Sequence, residues 1–153
     1  LTPDTAFKTA DANVTDTQMA EACIAGLWLY HDYLDESHRM SQKIDTPTGS
    51  YWHGIMHRRE PDAANSKYWF RRVGGHPIYD RLRDEAAKIA KESDAGEAAD
   101  FLRMQGSWDP FDFIDLCEDA RVGKASAEQL CREVQHIEFE LLFDYSYRSA
   151  IGR

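Results

Sequence analysis

The sequence predicts an all-α protein, and three observations carry the prediction. Helix-start signals recur along the chain, glycines fall where helical apolar spacing stops, and no segment keeps the strict apolar–polar alternation of a half-buried strand. Clusters of Val and Thr are few, so no strand is expected.

The elements follow in chain order. Residues 1–14 read as an N-terminal extension, and 15–153 as a single helical domain holding hairpins at 16–44 and 49–73 and further helices within 77–151. Thr15-Asp-Thr-Gln18 fits a capping box, in which a hydroxyl satisfies an orphan amide of the first turn and the residue three places on returns the bond. The chain should reverse near 32–34 and again near 60–62. Gly74-Gly75 then ends the fourth helix.

A repeat supports the hairpins. GLWLYHDYLDESHRMSQKI (26–44) aligns with GIMHRREPDAANSKYWFRRV (54–73) across one gap, pairing Gly26 with Gly54, Trp28 with Met56, Asp32 with Glu60, Ser37 with Ser66 and Ile44 with Val73. Each unit reads as helix, acidic turn, helix. Glycine in the first helix and a small-then-large pattern in the second resemble a tetratricopeptide-type hairpin.

Helices are expected next at 77–92, 95–104 and 110–121, then a long one at 126–149. Asp94-Ala-Gly-Glu97 resembles a capping box, Ser126-Ala-Glu-Gln129 fits one, and Asp109-Pro110 places proline at a first helical position. GSWDPF, 106–111, reads as a turn with an aromatic anchor. Leu130, Val134, Ile137, Leu141 and Tyr145 have the spacing of one packing face. Gly123 and Gly152 are stops.

At 153 residues the chain is long enough to bury an apolar core, and its net charge of −9 argues against nucleic acid or an anionic membrane as partner. Cys23, Cys117 and Cys131 are odd in number and widely spaced, which suits buried thiols better than a disulfide scaffold. The longest apolar run, ACIAGLWLY at 22–30, is too short to span a bilayer, and the opening residues lack a signal core. A cytoplasmic protein is expected.

The chemistry concentrates in SYWHGIMHRREPD, 50–62. Residues three, four and seven apart share a helical face, so His53, His57 and Glu60 line up beside an apolar face of Trp52, Ile55 and Met56. Two imidazoles one turn apart with a carboxylate following is metal-ligand spacing, and such a site needs further ligands from elsewhere. The hairpins supply them: Asp35 and His38 at the start of one helix should approach His57 and Glu60 at the end of the next, with His31-Asp32, Asp62 and Asn65 at the same pole. The bland alternative is that the acids cap helices, that Arg58 and Arg59 pair with them, and that the histidines donate to carbonyls.

Other signals are weaker. His136 stands between Glu133 and Glu140, a spacing used in metal bundles but also produced by any Glu-rich solvated face. Tyr68, Trp69 and Phe70 cannot all face one core. Arg71-Arg72 beside the double glycine would suit an anion, yet basic residues also favour a helix C-terminus. His31-Asp32 invites comparison with the His-Asp phosphohydrolases, but no histidine precedes it here.

AGLWLYHDYLDESHRMSQ, TGSYWHGIMHRREPDAANSKYWFRRVGGHP and ELLFDYSYR resemble a group of uncharacterised bacterial proteins. The HGxxHRxExD core, with its following Asn and aromatic pair, is also similar to a set of fungal proteins. The resemblance implies a shared site at His53, His57, Arg58, Glu60, Asp62 and Asn65 and names no reaction.

Three readings follow. In the first, one divalent ion (zinc, iron or manganese) is held by His38, His53, His57, Asp35 and Glu60 or a subset of them, and Arg58 or Arg59 orients an anionic substrate. In the second, His57 transfers protons, held by Glu60 with His53 beside it, and a small anionic or polyhydroxylated ligand meets Arg58, Arg59, Asp62, Asn65, Trp52 and Trp69. In the third, the hairpins form a protein-interaction module and the histidines are structural. A ligand-binding or enzymatic pole is preferred, because interaction repeats seldom gather so many titratable groups at one turn.

Overall fold

The computed structural model describes residues 1–9 and 13–153, and these are helical with no strand among them. The helices are α1 (Pro3–Thr9), α2 (Thr17–Tyr30), α3 (Leu34–Ser41), α4 (Pro47–Arg59), α5 (Ala63–Val73), α6 (Tyr79–Glu92), α7 (Asp100–Met104), α8 (Pro110–Arg121) and α9 (Glu128–Ala150), with a 3-10 turn at Gly96–Ala99 before α7. No helix among the described residues is long and apolar enough to cross a membrane. Of the extension expected over 1–14, residues 10–12 lie outside the described residues. Its α1 buries Phe7, whose ring stacks on Tyr147 at 5.7 Å.

The chain forms two compact units. The first holds Leu1–Gly74 and Leu142–Arg153, the second Gly75–Leu141.

In the first unit the expected reversals occur. The chain turns after Tyr30, where His31 ends α2 and Asp32 adopts a positive φ, and again between Arg59 and Ala63. Local capping sets the helix starts. Asp16, not Thr15, caps α2, accepting from the Met19 amide, because a carboxylate one place later reaches the same first-turn donors. Thr46 caps α4 through the Gly49 amide with Pro47 in the first turn, and Asp62 caps α5 through the Asn65 amide. Gly74, at φ 63, ends α5.

Two serines tie the helix pairs together. Ser37 Oγ donates to the Ala25 carbonyl at 2.9 Å and Ser66 Oγ to the Gly54 carbonyl at 2.8 Å, both fully buried. Around them Ile24, Leu29, Tyr51, Trp52, Ile55, Met56 and Phe70 are buried. Close approach is needed at Gly54, where a Cβ would lie 2.7 Å from the Phe70 ring.

The second unit packs Leu82, Ala86, Leu102, Trp108, Phe113, Leu130 and Val134 into one core. The turn at 106–111 is anchored as expected: Trp108 is buried against Phe113 and the Asp109 carboxylate accepts from the Phe111 and Asp112 amides. Asp94 does not start a helix. The chain takes the 3-10 turn there, with Ala95 at its cap. Along α9 the most buried positions after Val134 are Glu138, Leu142, Ser146 and Ala150, so Tyr145, expected on the packing face, is half-buried. Cys23 and Cys131 are buried, Cys117 is half-buried, and all three are free thiols. Burial pushes the Cys23 thiol up to about 12, out of reach of ordinary thiolate chemistry.

Candidate functional site

Three histidines meet in the first unit. His53 and His57 stand four residues apart on α4 and therefore project from the same side. His38 reaches them from α3, whose register is set by the buried Ser37 beside it. One ring nitrogen from each of His38, His53 and His57 can be chosen so that all three lie within 4.8 Å of one another. The His53 and His57 rings stack with centres 4.9 Å apart, and the His38 ring meets both edge-on, at 4.7 and 5.4 Å.

Each imidazole has a different environment. His53 is 1% exposed, and neither Nδ1 nor Nε2 has a hydrogen-bond partner. Its ring lies on Trp69, 3.8 Å between centres and 14° from parallel. His57 is 7% exposed, with Nδ1 3.1 Å from Glu60 Oε2. With Glu60 ionised, Nδ1 carries the proton and donates, which leaves Nε2 with a free lone pair. His38 is half-buried and is the member nearest solvent.

Burial dominates the titration of the pair on α4. Desolvation, then the neighbouring His57 and His38, lower His53 from 6.5 to about 3. Desolvation also lowers His57, and Glu60 works against it. Both imidazoles are therefore neutral at pH 7, the state a metal ligand requires.

A buried neutral His takes up its proton more readily in the unfolded chain, so the unfolded state binds more protons below about pH 6.5. The stability of the metal-free protein should be full above that pH and fall as the pH drops toward 3. His76 in the second unit, lowered by burial to about 4, acts in the same sense. Asp62, held below its ordinary 3.8 by hydrogen bonds from Asn65, loses its contribution only in more acid solution. Urea unfolding between pH 8 and 4 checks this, with a falling midpoint expected from about 6.5 downward.

The remaining sequence-selected residues are placed as follows. Glu60 lies one step outside the triad, on His57. Asp35 is exposed in the first turn of α3, and His31 is exposed at the end of α2. Asp32 binds Arg59, whose guanidinium donates to the Leu29 carbonyl and to Asp32 Oδ1, each at 2.7 Å, clamping the end of α4 to the α2–α3 turn. Arg58 is buried on α4. Asp62 and Asn65 bond to each other at the start of α5. Trp52 is fully buried away from solvent, its ring filling the space at Gly26 and its Nε1 donating to Ser146 Oγ at 3.2 Å.

The three consecutive aromatics of α5 divide their roles: Phe70 is buried, Tyr68 is 49% exposed and Trp69 faces His53. Arg72 lies over the Trp69 ring, 5.3 Å from its centre, and 3.7 Å from Asp45. The stacking of Trp69 on His53, like the Arg59 clamp, joins segments through space and has no local sequence signal. His136 pairs with Glu140 at 3.1 Å on an exposed face of α9, both side chains more than half exposed.

Compared with protein-family models, with curated proteins and with solved structures, the chain has no match.

Proposed function

We propose that the protein is a metal-dependent enzyme in which His38, His53 and His57 hold one divalent transition-metal ion, leaving a coordination position for water or a small ligand. The observation that carries this reading is His53, a fully buried imidazole with both nitrogens unpaired, set within 4.8 Å of two further imidazole donors. A buried polar group without a partner costs about 1–3 kcal/mol, a penalty that a metal bond would remove at one of the two nitrogens. Three protein ligands and one open position is the usual arrangement of catalytic zinc. Zinc–nitrogen bonds of about 2.0–2.1 Å require the three rings to draw together somewhat on binding.

The donor set favours zinc or iron over manganese, which prefers carboxylate oxygen. Glu60 is assigned to orient His57 rather than to ligate, since its carboxylate already accepts from Nδ1. Trp69 holds the plane of the His53 ring. A bound ion of this kind lowers the pKa of water and polarises a substrate oxygen, and the half-buried His38 marks the side of the triad open to solvent.

Elemental analysis of untagged protein, purified without chelators and supplied with zinc or iron, tests the proposal. About one ion per chain is expected, as in the three-histidine sites, with loss in His57→Ala and His38→Ala variants that remain folded. A folded wild type that takes up no ion removes it.

A second reading is favoured by a different observation. Ser37 and Ser66, paired in the internal alignment, each bond the carbonyl twelve residues earlier. This suits two tetratricopeptide-like hairpins serving as a protein-interaction module, with structural histidines. Recovery of a stoichiometric partner by wild type and histidine variants alike would favour it.

A further inference from the structure

Resting on the metal reading, we infer that the ligand completing the site is an anionic donor, such as a carboxylate or thiolate group of the substrate, bound directly to the metal rather than to an arginine. The candidate donors are three imidazoles, and no Asp, Glu or Cys joins the group among the described residues. Three neutral ligands leave the full charge of a divalent ion uncompensated.

That charge would sit in a poorly hydrated place. His53 and His57 are 1% and 7% exposed, and Trp69 covers the His53 ring. In such surroundings an uncompensated charge is costly, and an anion in the open position offsets it at bonding distance.

Of the nearby carboxylates, Asp35 is exposed on α3 outside the donor group, and three others already make bonds that direct ligation would disturb. Glu60 accepts from His57 Nδ1, Asp62 from the Asn65 amide and side chain, and Asp32 from Arg59. Two nearby cations are engaged as well: Arg59 on the Leu29 carbonyl and Asp32, Arg72 over Trp69 and beside Asp45. An incoming anion therefore finds its strongest partner in the metal. A neutral polyhydroxylated molecule would leave the charge where it was.

Cobalt(II) loaded into the metal-free protein provides the probe, because its visible bands report changes in ligand and geometry. Azide, acetate and 2-mercaptoethanol are each titrated into the loaded protein, with sorbitol as the neutral polyol and perchlorate as the control for ionic strength. The expected result is a saturable shift with at least one of the three donors, none with sorbitol or perchlorate, and mutual competition between donors that bind. The acetate and mercaptoethanol arms separate oxygen from sulfur donors. Cobalt bound with bands that ignore all three donors, or that respond equally to sorbitol or perchlorate, overturns this inference and leaves the metal site standing. Failure to take up cobalt, zinc or iron overturns both.

Discussion

Replacing His53 by leucine is expected to abolish metal uptake and, at the same time, to make the metal-free protein more stable. The imidazole is 1% exposed with both nitrogens unpaired, so its removal relieves a desolvation penalty of about 1–3 kcal/mol. Leucine has a similar volume and no polar atom. The change gives up the ring stack on Trp69, worth about 0.5–1.5 kcal/mol for aromatic pairs, so the net gain at pH 7 is about 1 kcal/mol. At pH 5 the gain should be larger, because the variant also loses the His53 share of the acid sensitivity.

With metal present the order reverses. An ion at about a thousand times its dissociation constant stabilises the wild type by about 4 kcal/mol and the variant not at all. Denaturant titrations of both proteins, with chelator and with zinc, measure this crossing. A chelated variant that is less stable than the wild type by the usual cost of a core substitution would mean that His53 is satisfied without metal, and the proposal would lose its main support.

The second large effect is expected at Gly49→Ala. A Cβ there would lie 2.4 Å from the Ile44 carbonyl oxygen and 2.5 Å from its Cβ. The obstacle is backbone and the root of a buried side chain, so neither can swing aside. Overpacking of this kind costs about 1–3 kcal/mol and occasionally more. The better helix propensity of alanine, about 1 kcal/mol mid-helix, offsets part of it. A net loss of about 1–2 kcal/mol is expected in urea unfolding.

Gly54 and Gly26 make a useful contrast. Their added methyl groups would meet the rings of Phe70 and Trp52, at 2.7 and 2.9 Å, and a ring can tilt where a carbonyl cannot. Because α4 carries both His53 and His57, Gly49→Ala should also weaken metal binding. Unchanged stability would show that the 44–49 turn shifts freely.

The legible parts of the fold share a property. Asp109 satisfies amides two and three residues on, and Gly74 and Gly152 stop helices by their own positive φ. Such signals are local, so a linear reading finds them. Where two local choices compete, as Thr15 and Asp16 do for the same first turn, the pattern alone does not choose between them.

The acids were harder to place. Asp35 and Ser37 are two positions apart, about 200° around a helix at 3.6 residues per turn, so burying Ser37 turns Asp35 toward water. Trp52 precedes His53 by about 100° on α4 and goes instead to the core at Gly26. Helical spacing assigns residues to faces. Which face is buried depends on contacts from other segments.

From its own residues the chain determined an all-helical fold, the reversals near 32 and 61, and the pairing of His53 with His57 on one side of α4, because each depends on bonds or angles spanning only a few residues. Tertiary structure decided that His38 and not Asp35 joins the pair, the stacking of Trp69 on His53, and the capture of Arg59 by Leu29 and Asp32. Those outcomes join parts of the chain 15 to 30 residues apart, and they depend on how helices settle against one another, through buried contacts such as Ser37 on Ala25 and Phe70 at Gly54.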